Sequence, residues 1–263
     1  MGLARAFGGA IFFSLPLLMT MEMWQLGFHM PRLPLALFIV VMIPVLLGLE
    51  YYTGFKESTT WLDEVADAAV AYGVGIVASA VVLASLNLIS TDEPLSSVLG
   101  KVALQAIPAS FGAMLSNSQF GGEGTTERRH KREIGYGGTL FLMTVGAMFL
   151  SFNLAPTEEM ILLAFRMTHW HAIALVLLSL LLIHGFVYAS NFRGSPGAPE
   201  GVSRSHLFLH YTVPGYAIAL LVSAYVLWTF GRYEDDAVAS MVMQAVVLGF
   251  PASIGAAAAR LVV

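Results

Sequence analysis

Eight stretches of about 20 mostly apolar residues dominate this chain, at 6–27, 34–53, 65–88, 97–116, 135–156, 169–190, 207–229 and 239–260. A helix of that length rises far enough to cross the roughly 30 Å hydrocarbon core of a bilayer. Backbone groups in lipid must be satisfied inside the segment, so such runs fold as helices rather than open sheet. The composition agrees: 57% of the 263 residues are hydrophobic and 11% are charged, against roughly 25% charge in a soluble domain. Mean hydropathy is +0.75. The expected fold class is all-α, a polytopic membrane protein of about eight transmembrane helices.

The first run follows Arg5 much as a signal peptide would. It is longer than a signal's apolar core and no small-x-small cleavage site follows, so it reads as the first span. Cysteine is absent, which excludes disulfides, thiolate metal sites and thiol catalysis. Eight spans put both termini on one side. That side holds Arg5, Lys56, Arg128, Arg129, Lys131, Arg132, Arg193, Arg204 and Arg260, and the other holds Arg32, Lys101, Arg166 and Arg232. The positive-inside rule then predicts cytoplasmic termini.

One segment occurs twice. Gly9 to Met30 aligns without a gap onto Gly146 to Met167, with 11 of 22 positions identical. The shared Gly-Ala-x-Phe-x-Ser and Thr-x-Glu-Met pattern is too specific for apolar bias alone. The match continues through Gly48/Gly185, Tyr51/Tyr188 and Phe55/Phe192. It reappears in Pro108-Ala-Ser-x-Gly-Ala113 and Pro251-Ala-Ser-x-Gly-Ala256. The sequence therefore reads as two four-helix tandem repeats, 1–116 and 134–263, joined by a basic linker at 117–133. An even number of spans per repeat makes the repeats parallel, and a pseudo-twofold site between them is the expected consequence. The linker run Arg128-Arg129-His130-Lys131-Arg132 reads as a topology-setting loop rather than a nucleic-acid site.

Few residues could carry chemistry. Glu22 and Glu159 occupy equivalent places in the two repeats, and ionisable groups within spans mark ion or proton pathways. Against this, Ala155-Pro156-Thr157-Glu158-Glu159 resembles a fresh helix start, with acids suited to its dipole. Pro108 and Pro251, with Ser110 and Ser253, mark matching midplane positions where a proline frees a carbonyl. The adjoining small residues equally suit a packing seam between halves. Asp67, deepest of the acids Asp63, Glu64 and Asp67, would line the cytoplasmic entrance, or cap a helix with them.

The second repeat carries His206 and His210 there instead. With His184, these raise a haem or metal reading, the least favoured of those considered; no cofactor is expected. Gly135-Tyr136-Gly137 and Tyr72-Gly73-Val74-Gly75 lack the context of a potassium filter and read as points of close helix approach. No nucleophile and base pair is visible, so a hydrolytic enzyme ranks last.

The run Ser14-Leu15-Pro16-Leu17-Leu18-Met19-Thr20-Met21-Glu22-Met23-Trp24, followed by this eight-span layout, resembles a family of uncharacterised bacterial integral membrane proteins along nearly the whole chain. The resemblance implies an inner-membrane protein, often encoded beside a small single-span protein. It carries over no functional residue. Expected partners are the lipid bilayer, that single-span protein and, as an alternative, further copies of the chain in a homo-oligomer. The leading functional expectation is a transporter or channel for an ion or small solute. The alternatives are a non-transporting subunit that docks a partner, and a membrane redox protein.

Overall fold

A computed structural model describes residues 2–53, 61–90, 92–120, 135–192, 208–234 and 236–262. Every regular element among them is helical. The chain divides into two compact units, Met1–Ile134 and Gly135–Val263. The first holds α1 (Leu3–Leu18), α2 (Met21–His29), α3 (Arg32–Thr53), α4 (Trp61–Ser85) and α5 (Leu95–Phe120). The second holds α6 (Tyr136–Leu154), α7 (Glu158–Arg166) and α8 (His169–Phe192). A π-helical turn, Phe208–Thr212, then leads into α9 (Val213–Thr229), and α10 (Val238–Val262) follows. Among the described residues seven helical stretches are long and apolar enough to cross a membrane, and α1 with α2 makes an eighth if the bent pair counts as one.

The sequence predicts one continuous first span over 6–27. The structure instead breaks it at Met19–Thr20, and the two helix axes lie 87° apart. Thr20 is extended (φ −95°, ψ 118°), and its hydroxyl donates backwards to the Pro16 carbonyl at the end of α1. The Trp24 indole donates to the Leu18 carbonyl at 2.8 Å. Two of the carbonyls that a helix end leaves unpaired are thereby satisfied, which stabilises the corner. The second unit turns at the equivalent place: Thr157 is extended (φ −75°, ψ 144°) and donates to Leu154 at 2.9 Å. At nine residues each, α2 and α7 are too short to span.

In each unit the last helix is the central one. Every residue from Leu104 to Met114 is buried, because α5 packs against α1, α2, α3 and α4. Likewise α10 packs against α6, α7, α8 and α9. Both helices run unbroken through their prolines, Pro108 and Pro251.

Close crossings without side chains set the tightest contacts. A Cβ on Gly9 would lie 2.6 Å from the Gly112 carbonyl oxygen, and one on Gly146 would lie 2.1 Å from that of Gly255. Small residues thus meet inside each unit, between its first and last helices. Gly75 is a further close crossing, on α5 at Ala106 and Ser110. By contrast a Cβ on Gly73, Gly135 or Gly137 would meet nothing within 4 Å. For those three glycines the expectation of close helix approach fails.

The turn before each central helix also follows one design. Asn87 (φ 57°) ends α4 and Gly231 (φ 69°) ends α9. The next residue donates to the carbonyl five back, Leu88 to Leu83 at 2.8 Å and Arg232 to Leu227 at 2.9 Å, as in a Schellman cap. The turn is then tied to the central helix. Lys101 Nζ donates to Glu93 at 2.7 and 3.0 Å and to the Leu88 carbonyl at 2.7 Å. In the second unit Gln244 Nε2 donates to Asp236 at 2.5 Å, and Ser240 Oγ to the same oxygen at 3.2 Å.

Candidate functional site

Glu22 and Glu159 each occupy the first turn of a short helix that starts after a corner. Glu22 is half-buried and Glu159 exposed. At that position a carboxylate complements the exposed N–H groups and the positive end of the helix dipole. The break at Thr20 and Thr157 removes both glutamates from the run of a straight spanning helix. Asp67 does not join Glu22: α2 precedes the start of α3, whereas α4 follows its end, and 22 residues of α3 separate the two ends by about 33 Å.

Ser110 and Ser253 are buried, and their hydroxyls donate back to the Ala106 and Phe250 carbonyls at 2.5 and 2.7 Å. The α5 backbone around Pro108 is covered on all sides. A groove of about 570 Å³ lies elsewhere in this unit, between α1 and α4, lined by Leu3, Phe7, Val70, Gly73, Val74 and Val77.

The end of α3 holds a carboxylate that sequence reasoning passed over. Glu50 is the one charged residue between Arg32 and Lys56, and only 9% of it is exposed. Asp67 and Glu64, on the facing part of α4, act on it electrostatically, Asp67 more strongly. Asp67 is half-buried and Glu64 likewise. Among the described residues no lysine or arginine forms an ion pair with Glu50. A lone acid in an apolar run is the signal that could have found it. Its place one turn from the helix end makes it look like an ordinary interfacial charge. The burial is supplied by protein rather than by depth.

The second unit puts different chemistry at its corresponding helix pair. His184 on α8 has Nδ1 3.1 Å from Thr212 Oγ1, and Thr212 is fully buried where the π-helical turn meets α9. Pro214, next to the first residue of α9, has no N–H for the His210 carbonyl, which accounts for the wider turn just before it. The His184 ring packs edge-on to Phe208 at 5.6 Å, while His210 packs against Tyr136 at 6.5 Å. The two imidazoles thus engage separate neighbours. His206 and the basic run Arg128–Arg132 lie outside the described residues. No group of three or more His, Asp or Glu suited to a metal ion occurs among the described residues.

Comparison with known proteins also points to the membrane. A family model described as "Putative integral membrane protein (DUF2391)" matches residues 2–263. The chain belongs to this family. It is an integral membrane protein and the lipid bilayer is its solvent. No curated protein and no solved structure matches the chain. Any assignment of activity therefore starts from the side chains themselves.

Proposed function

We propose that this protein is a transporter or channel for an ion or small solute, with Glu50 as its proton- or cation-binding group. One observation carries the reading. Glu50 is a carboxylate in a membrane-spanning helix, shielded from solvent and unpaired by Lys or Arg among the described residues. Such a group is costly unless a proton or cation compensates it, and where it persists it marks a pathway. Asp67, opposite on α4, is a second acid on the same route, and His184 with Thr212 is the polar pair of the second unit.

The same reading takes the two units as copies of one four-span ancestor. It is supported by the shared element order, by the corners at Thr20 and Thr157, by the glycine crossings and by the paired caps at Asn87 and Gly231. The distribution of Lys and Arg favours cytoplasmic termini, and the family resemblance implies a bacterial inner membrane. Glu22 and Glu159 then act as charges at helix starts rather than as ligands.

A second reading, a non-transporting subunit, is favoured by the apolar groove between α1 and α4. A small single-span partner would lay its helix there, and a second copy of the chain could do so in a homo-oligomer.

Proteoliposomes loaded with a pH-sensitive dye distinguish the readings. Under an inward proton gradient the wild type should acidify the lumen faster than empty vesicles, and Glu50→Gln should slow this at least tenfold. Wild-type vesicles no leakier than empty ones, or Glu50→Gln as fast as wild type, would overturn the assignment.

A further inference from the structure

The two turns that precede the central helices share a backbone but differ in charge. In the first unit a buried ammonium fills the turn: Lys101, 8% exposed, is held by both Glu93 oxygens and the Leu88 carbonyl. The equivalent positions in the second unit are Gln244, Asp236 and Arg232. The caps match hydrogen bond for hydrogen bond, and the acid stands eight residues before the central-helix side chain in both. The carboxylate is kept, and the neutral Gln244 amide donates to it in place of the ammonium.

We propose that the second unit binds a monovalent cation of ammonium size beside Asp236, the Gln244 amide turning over so that Oε1 rather than Nε2 faces the carboxylate. The site belongs to the second unit and does not depend on the transport reading.

Three observations support it. Among the described residues Asp236 accepts from two neutral donors, Gln244 Nε2 and Ser240 Oγ, and has no ion pair. Gln244 is 1% exposed, and its Oε1 is buried without a hydrogen-bond partner. A buried acceptor in that state is costly, and a cation beside it removes the cost. The first unit also indicates the size of cation that such a turn holds. Its ammonium sits 2.7–3.0 Å from three oxygens. Calcium takes oxygens at about 2.3–2.6 Å and magnesium at about 2.0–2.1 Å, so the spacing suits potassium or ammonium. Among the described residues the turn also holds Arg232, which has an interaction of its own, the Glu234 carboxylate and the Tyr233 phenol. Burial pushes Tyr233 up to about 12, so it stays neutral.

The test is thermal unfolding of the full chain in detergent, in potassium, ammonium or choline chloride at equal ionic strength. Wild type should unfold about 3–6 °C higher in potassium or ammonium than in choline. Asp236→Asn should lose that difference. Gln244→Lys, which rebuilds the tethered ammonium, should lose it too while melting above wild type in choline. The same midpoint in all three salts overturns the proposal, as does a potassium response that survives in Gln244→Lys. If Asp236→Asn fails to fold, Gln244→Lys decides the matter alone.

Discussion

Alanine at Gly146 is the sharpest probe of how the second unit is held together. The added methyl carbon would sit 2.1 Å from the Gly255 carbonyl oxygen and 2.8 Å from the Ala259 methyl. A relaxed carbon–oxygen contact is about 3.3–3.6 Å, so the shortfall exceeds 1 Å. The nearest clashing atom is backbone, and no rotamer relieves it. Helices α6 and α10 must therefore part by about that distance. A gap of that size forfeits roughly a quarter to a half of the dispersion energy between facing atoms. Overpacking of this kind costs about 1–3 kcal/mol, here toward the upper end. Replacing a helical glycine returns about 0.5–1 kcal/mol, leaving a net loss of about 2 kcal/mol.

Gly185 supplies the control, since a Cβ there would meet nothing within 4 Å. Gly185→Ala should gain the propensity term with no clash. Thermal unfolding in detergent, followed by tryptophan fluorescence, should place Gly146→Ala about 4–8 °C below wild type and Gly185→Ala about 1–4 °C above it. Gly9→Ala should resemble Gly146→Ala, because its Cβ would lie 2.1 Å from the Ser116 Cβ. Gly146→Ala melting at or above Gly185→Ala would refute the crossing as the tightest contact of the unit.

Further expectations concern the corners and the turns. Thr157→Val removes the hydroxyl that joins α6 to α7 and should cost about 1 kcal/mol. Thr20→Val should cost no more, because Trp24 still ties that corner to Leu18; both are read from unfolding midpoints. Lys101→Met leaves Glu93 without its cation, and breaking a buried pair costs about 3–5 kcal/mol. The Glu93 side chain is 31% exposed, so about 2 kcal/mol is expected, and Lys101→Met with Glu93→Leu should recover most of it. Proton flux should be unchanged in a Glu22→Gln, Glu159→Gln double variant, and a coupled loss of flux would return those glutamates to the pathway. Tyr233 has its folded-state proton affinity raised by burial, to about 12. The unfolded chain therefore releases that proton first, stability falls as pH rises from about 10 to 12, and Tyr233→Phe should flatten this part of the pH profile.

Helices were legible in the sequence because lipid leaves the backbone one solution. Hydropathy therefore located seven of the eight stretches to within a few residues. Corners were legible only in part. Pro156 announced the break after α6, whereas Pro16 lies within α1 and the break comes three residues later. What the two corners share is Thr20 and Thr157, whose hydroxyls turn back onto the preceding helix, and a threonine gives no such signal in a hydropathy profile. Glu50 shows the opposite difficulty. It stands alone in its apolar run, yet burial at a helix end is a property of α4 and α5 packed around α3, which no local pattern in α3 records. The glycines divide the same way: Gly9, Gly112, Gly146 and Gly255 sit at crossings, while Gly73, Gly135 and Gly137 face open space. Composition cannot tell these classes apart, because the difference lies in the backbone of another helix. The turns at Asn87 and Gly231 extend the argument to charge. Lys101 and Gln244 read as an unremarkable cation and an unremarkable amide until the shared frame sets them side by side. Only then does the Asp236 carboxylate, without an ion pair among the described residues, become a question with a chemical answer.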